Sequence, residues 1–221
     1  MIGIVGLLLF LLAYTIYVYF FPASKLSVDN QKWRWIASRL FFWLLLGALA
    51  LYTRKIEHTS ICNIEQKKYR WWFYILATMS IFLIVFIGSG VMILVSKSIQ
   101  KKQISDSLQT MKTMFIKYPS LGLLTAVTAG VTEEFFFRGY LQNRLTLLSN
   151  KYVGIIVSAI LFGLLHYNYG TLIQVLFPFW LGIVFSIFYD RYRNIYLLVF
   201  IHFLWDAIVL YNLTHFKIPL Q

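Results

Sequence analysis

Three stretches of the chain carry no charged side chain: Ile2 to Phe21, Trp71 to Ser96 and Tyr152 to Tyr189. About 20 apolar residues cross a bilayer as a helix. The first two stretches therefore fit one span each, and the third holds two short spans with Tyr167-Asn168-Tyr169-Gly170 as the turn between them. A spanning chain must satisfy its backbone amides internally, as helices or as a closed barrel. Barrel strands alternate with period two, and runs such as Leu7-Leu8-Leu9-Phe10-Leu11-Leu12 do not. The pattern predicts an all-α, polytopic transmembrane helix bundle of about seven helices, at 2–21, 35–53, 71–96, 119–148, 152–167, 170–190 and 195–213. The first lacks a basic flank and is longer than the apolar run of a secretion signal, so it reads as a retained helix. The fourth is too long for one span, and from about Leu141 it is expected to leave the apolar core. Residues 97–118 are polar and basic with Ile99, Ile104, Leu108, Met111 and Phe115 interspersed, the pattern of an amphipathic helix on the membrane surface.

Composition agrees. Of 221 residues 60% are hydrophobic and 13% charged, against about 25% charged in a soluble domain. The net charge of +12 raises the question of nucleic acid. The basic residues, however, crowd into the connections, at Lys25 to Arg39, Arg54 to Arg70 and Lys97 to Lys117. That is the distribution of loops facing anionic headgroups, not of a basic binding face. Anionic membrane lipid is the expected partner and nucleic acid is not. The basic residues divide almost evenly between the two sides, so they set no orientation. The lone Cys62 excludes an internal disulfide and a multi-cysteine metal site; it is expected in a polar loop.

The candidate chemistry lies where charge interrupts apolar sequence. Of the eight acidic residues, Asp29, Glu57, Glu65 and Asp106 fall in loops and Asp190 at a helix end, whereas Glu133, Glu134 and Asp206 fall within apolar helices. Ionisable side chains inside spanning helices are costly, face a bundle interior or cavity, and point to function. In Thr132-Glu133-Glu134-Phe135-Phe136-Phe137-Arg138, Glu134 and Arg138 are i,i+4 neighbours and can pair. That pair reads as structural, and it leaves Glu133 unexplained. His166 closes Phe162-Gly163-Leu164-Leu165-His166, and His202 and Asp206 share a helical face. One intramembrane histidine can be a mere interhelical hydrogen bond. Two histidines and two carboxylates on three helices are the ingredients of a water-activating site, which needs a base near water and donors for an oxyanion. His58 and His215 lie in a basic loop and at the chain end. Gly88-Ser89-Gly90 reads as close helix packing and not as a serine nucleophile.

Glu133-Glu134-x-x-x-Arg138, Phe162-x-x-x-His166 and His202-x-x-x-Asp206 resemble, in order and approximate spacing, the three motifs of the CPBP family, the CAAX proteases and bacteriocin-processing enzymes also called Abi proteins. The resemblance covers about residues 119–213. It implies two parts: 1–118, variable N-terminal transmembrane helices with a basic interfacial segment, and 119–221, a catalytic helix core with the site between the C-terminal helices. It also implies roles. Glu133 would activate the attacking water with help from His166; His202 and Asp206 would stabilise the oxyanion; Glu134 and Arg138 would support them. Family members often carry Asn where this chain has Asp206. An ionised Asp only accepts hydrogen bonds, so Asp206 would need a proton or would act through His202. Metal dependence stays open. Glu133, His166 and His202 could hold a catalytic zinc with one open position, or the enzyme could be a metal-free glutamate protease.

The expected function is hydrolysis of a peptide bond in a membrane-associated peptide or lipidated protein, in a membrane whose aromatic-rich, lysine-rich protein is compatible with a bacterial plasma membrane. Two other classes fit parts of the pattern. One is a non-catalytic bacteriocin immunity or binding protein. The other is a proton-coupled transporter, for which paired discontinuous helices and repeat halves are missing. The oligomeric state is not legible.

Overall fold

A computed structural model of the chain describes residues 28–100 and 105–215, so the predicted helix at 2–21 lies outside the described residues. The rest is helical, with no strand among the described residues. The elements are α1 (Val28–Lys55), α2 (Trp71–Ile99), α3 (Asp106–Lys117), α4 (Pro119–Glu134), a π-helical segment (Phe135–Gln142), α5 (Asn143–Leu148), α6 (Lys151–Leu165), a short 3₁₀ turn (Tyr167–Tyr169), α7 (Ile173–Tyr192) and α8 (Ile195–His215). Five of these helices are long and apolar enough to cross a membrane, six if α3 and the continuous Pro119–Leu148 helix count as one bent span. Together they make an integral membrane, polytopic bundle.

Hydropathy marks the apolar stretch of a helix but not its polar ends. So α1 begins seven residues before the apolar run, with Asp29 in its first turn and Arg54 and Lys55 in its last, a charge order that suits the helix dipole. Asn150 starts α6 by accepting hydrogen bonds from the Tyr152 and Val153 amides. Asn194 does the same for α8 through the Leu197 amide. These tight connections set α4–α5, α6, α7 and α8 alternately up and down. One face of α2 stays bare, with Met79, Leu83, Phe86, Ile87 and Leu94 exposed, as lipid requires.

The segment read as one amphipathic helix is divided. α2 runs on to Ile99, and α3 meets α4 at 118° around Tyr118. The amphipathic reading survives in α3, which buries Met114 and Phe115 with Leu121 against Trp35 and Ile36 of α1 and Leu210 of α8.

A second expectation is corrected. The Pro119–Leu148 helix does not leave the interior near Leu141: Leu141, Gln142, Asn143 and Arg144 are all buried. The loop after α1 folds over them. Cys62 lies in that loop but is buried against Gly139, and burial holds its thiol above the ordinary range. The main apolar core draws on α1, the loop, α2 and the C-terminal helices alike.

Candidate active site

Glycine sets the framework. A Cβ on Gly130 of α4 would lie 3.0 Å from both Phe203 N and Val199 O of α8, so only glycine lets these two backbones approach. Side chains lean toward their own helix N-terminus. On antiparallel α4 and α8, Glu133 and Glu134 therefore lean back to meet His202. The second close approach joins α6 and α7. A Cβ on Gly163 would meet Phe179, and one on Gly182 would meet Ala159. Phe162 and Phe185, each three residues beyond Ala159 and Gly182, are thereby turned into the same space.

The centre of the arrangement is His202, which is buried. Its Nδ1 lies 2.7 Å from Glu134 Oε1, and the same oxygen accepts from Arg138 Nη1 at 2.7 Å. Glu134 and Arg138 are completely buried. The i,i+4 pairing is thus present, and its carboxylate also fixes the imidazole. Asp206, the residue expected to orient His202, is further off: its Oδ2 lies 3.7 Å from His202 Nε2, beyond a hydrogen bond. Glu133 Oε2 is 3.9 Å from the same nitrogen. Nε2 therefore faces a space edged by two carboxylates and is bonded to neither. These two acids are the more open members, with 15% of the Glu133 side chain and 26% of that of Asp206 exposed.

Arg138 sits in the middle of the π-helical segment, a rare geometry that often marks functional sites. The wide turn frees carbonyls, and neighbours satisfy them: Ser158 Oγ donates to Phe137 O at 3.1 Å and Asn143 Nδ2 to Gly139 O at 2.7 Å. The guanidinium carbon lies 4.4 Å from the Phe162 ring centroid and 5.3 Å from that of Phe185. The same two rings stand edge-on to His202, at 6.0 and 5.8 Å. Phe162 occurs in the second motif without a stated role, and Phe185 carries no signal at all, since its helix has no ionisable residue in its interior.

His166 follows the last turn of α6, half-buried, with its ring 5.2 Å from that of Phe162. Its Nδ1 lies 2.9 Å from Phe162 O. A carbonyl only accepts, so Nδ1 carries the proton and Nε2 is left as an acceptor. The charge of Glu133 acts on this ring. The described structure thus gathers Glu133, Glu134, Arg138, His202 and Asp206 into one cluster with His166 at its edge.

Among the described residues, no group of three or more His, Cys, Asp or Glu side chains is disposed to hold a metal ion. The set Glu133, His166 and His202 does not fit a zinc ion as its side chains stand. Ser89 is half-buried, and its hydroxyl donates to Phe86 O of its own helix at 2.7 Å, the local bond of a packing residue and not of a nucleophile. Its neighbour Gly88 receives the Trp180 indole, whose Nε1 lies 1.9 Å from where a Cβ would stand. Close packing accounts for Gly88, while Gly90 has nothing near it.

Residues 115–208 match the family of Rce1-like type II CAAX prenyl endopeptidases. The match contains all six site residues and agrees with the family read from the three motifs. It supports a CAAX-type protease, a hydrolase with a peptide or protein substrate. Comparison with curated proteins and with solved structures returned no match.

Proposed function

We propose that the chain, similar over residues 115–208 to CAAX prenyl endopeptidases, is an intramembrane endopeptidase that cleaves a membrane-associated or lipidated peptide with a water activated by Glu133. The observation that carries this reading is the division of labour between adjacent carboxylates. Glu134 is completely buried and its Oε1 is shared by Arg138 and His202, while Glu133, whose Oε2 is likewise buried without a partner, stands at the more open edge of the site.

In this reading a water lies between Glu133 and the bare Nε2 of His166. Glu133 takes a proton as the water oxygen attacks the scissile carbonyl carbon. The carbonyl oxygen becomes an oxyanion. His202, protonated on both nitrogens, donates Nδ1–H to Glu134 and offers Nε2–H to that oxyanion. The carbon–nitrogen bond then breaks, and Glu133 returns its proton to the leaving amine, so that one water is consumed and a carboxylate and an amine are released. Glu134 and Arg138 hold the imidazole in this orientation, as the carboxylate partner of a catalytic histidine does elsewhere. Asp206 acts through its neighbours and not as a donor.

The test is cleavage of a farnesylated peptide with a CAAX-type C-terminus by purified protein in detergent, wild type beside Glu133→Gln, each with and without a zinc chelator. Cleavage by the wild type that is lost in Glu133→Gln and survives chelation supports the reading. Cleavage lost on chelation replaces the metal-free mechanism with a metal-dependent one, and equal cleavage by both proteins sinks the assignment of Glu133.

A further inference from the structure

Arg39 lies outside the matched residues and outside every motif, within the membrane-crossing helix α1. It is 5% exposed, a costly place for a guanidinium. Trp35, Arg39 and Trp43 recur every four residues on one face of α1. Both indoles are anchored to α4: Trp35 Nε1 donates to Thr125 Oγ1 at 2.7 Å and Trp43 Nε1 to Thr128 Oγ1 at 3.1 Å. Arg39 is held between these anchors, against the helix that carries Glu133 a turn further on. Its Cζ lies 4.7 Å from the Trp35 ring and 5.3 Å from that of Phe42, and Nε donates to Ser38 Oγ at 3.3 Å. Among the described residues it has no carboxylate within ion-pair distance.

The nearest use for this charge is Asp206. Leu210 of α8 packs in one cluster with Trp35 and Ile36 of α1. Asp206 is one turn before Leu210, and Arg39 is one turn beyond Trp35, so on these antiparallel helices the two positions fall at similar levels. The Arg39 charge acts on Asp206. The other groups acting on Asp206 are His202 of its own helix and Glu133 and Glu134 of α4. Both glutamates repel it and His202 attracts it, yet Asp206 Oδ2 stays 3.7 Å from His202 Nε2.

We propose that Arg39 is a positioning residue of the site: it draws the Asp206 carboxylate toward α1 and so keeps it from capping His202 Nε2, which stays free for the substrate. This rests on the protease reading above. It also ties a residue of the N-terminal part to the chemistry of the matched region.

The test is a double-mutant cycle on the full chain in detergent with the farnesylated CAAX-type peptide, separating kcat from KM for wild type, R39Q, D206N and R39Q/D206N. R39K is added as the variant that keeps the charge, and thermal unfolding is followed throughout. The expected result is a kcat about tenfold lower in R39Q with KM changed less than about twofold, and recovery of most of the loss in R39K. In the D206N background, which still turns over, R39Q costs less than about twofold. An equal loss in both backgrounds, no loss in R39Q, or an inactive D206N would overturn the proposal. If R39Q does not fold, R39M takes its place under the same criteria. Glu133→Gln runs alongside. Its full activity, or a wild type that leaves the peptide intact, removes the protease reading and the proposal with it, whereas an inactive Glu133→Gln beside additive R39Q and D206N losses removes the proposal alone.

Discussion

Two buried arginines of the one Pro119–Leu148 helix, Arg138 and Arg144, each pair with a carboxylate, and the pairs are completed differently. Arg144 is saturated. Its Nε and Nη2 donate to Glu57 Oε2 at 3.1 and 2.5 Å, Nη1 donates to Ile61 O at 2.7 Å, and Nη2 also reaches Ser60 O at 3.2 Å. The other oxygen of Glu57 accepts from Tyr140 at 2.7 Å. Arg138 is not saturated: its Nε and Nη2, Glu134 Oε2 and Glu133 Oε2 are buried without a hydrogen-bond partner. Natural proteins satisfy nearly all buried polar groups, and the exceptions gather where a structure serves chemistry and not stability. The first pair latches the loop after α1 over the bundle. The second shares one carboxylate oxygen between a guanidinium and an imidazole and so holds the histidine in place.

That contrast can be broken at either end. The largest expected effect is on turnover at the unsaturated end: Glu133→Gln lowers the rate of peptide cleavage by about 10²–10⁴-fold, while its thermal unfolding in detergent stays close to wild type. A comparable change in unfolding would make Glu133 structural. At the saturated end, Arg144→Met strands the Glu57 carboxylate in the interior and costs about 3–5 kcal/mol. Denaturant titration reads this loss, and the fraction that remains folded still cleaves. Glu134→Gln is intermediate. It leaves His202 with a weaker partner and lowers kcat by about 10–100-fold, with KM nearly unchanged, a split that steady-state kinetics resolves. Smallest is Ser89→Ala, expected to shift stability by no more than about 0.5 kcal/mol and to leave cleavage at the wild-type rate. A large loss there would reopen the serine reading.

The loop pair also shows where one-dimensional reading fails. Glu57 and Arg144 each sit among polar neighbours in sequence, so both read as solvated charges, and the helix reads as leaving the apolar core from about Leu141. Nothing local says that the loop folds back over the helix end. Only the tertiary path brings Glu57, Ile61 and Tyr140 around one guanidinium. Arg39 is the same case in reverse: among the Lys25–Arg39 basic residues it reads as one more headgroup charge, and the packing of α1 on α4 places it inside.

What the sequence alone determined was the helical membrane architecture, the positions of most helices to within a few residues, and the six side chains of the candidate site. Each of these rests on a local signal: unbroken apolar length, or an ionisable residue whose cost in an apolar helix demands a reason. Only the tertiary structure decided which carboxylate binds His202, that Asp206 stands off it, and that Phe162 and Phe185 grip the Arg138 and His202 pair. Those are relations between helices, set by backbone contacts at Gly130, Gly163 and Gly182. A glycine's own sequence neighbourhood does not record which helix will press against it.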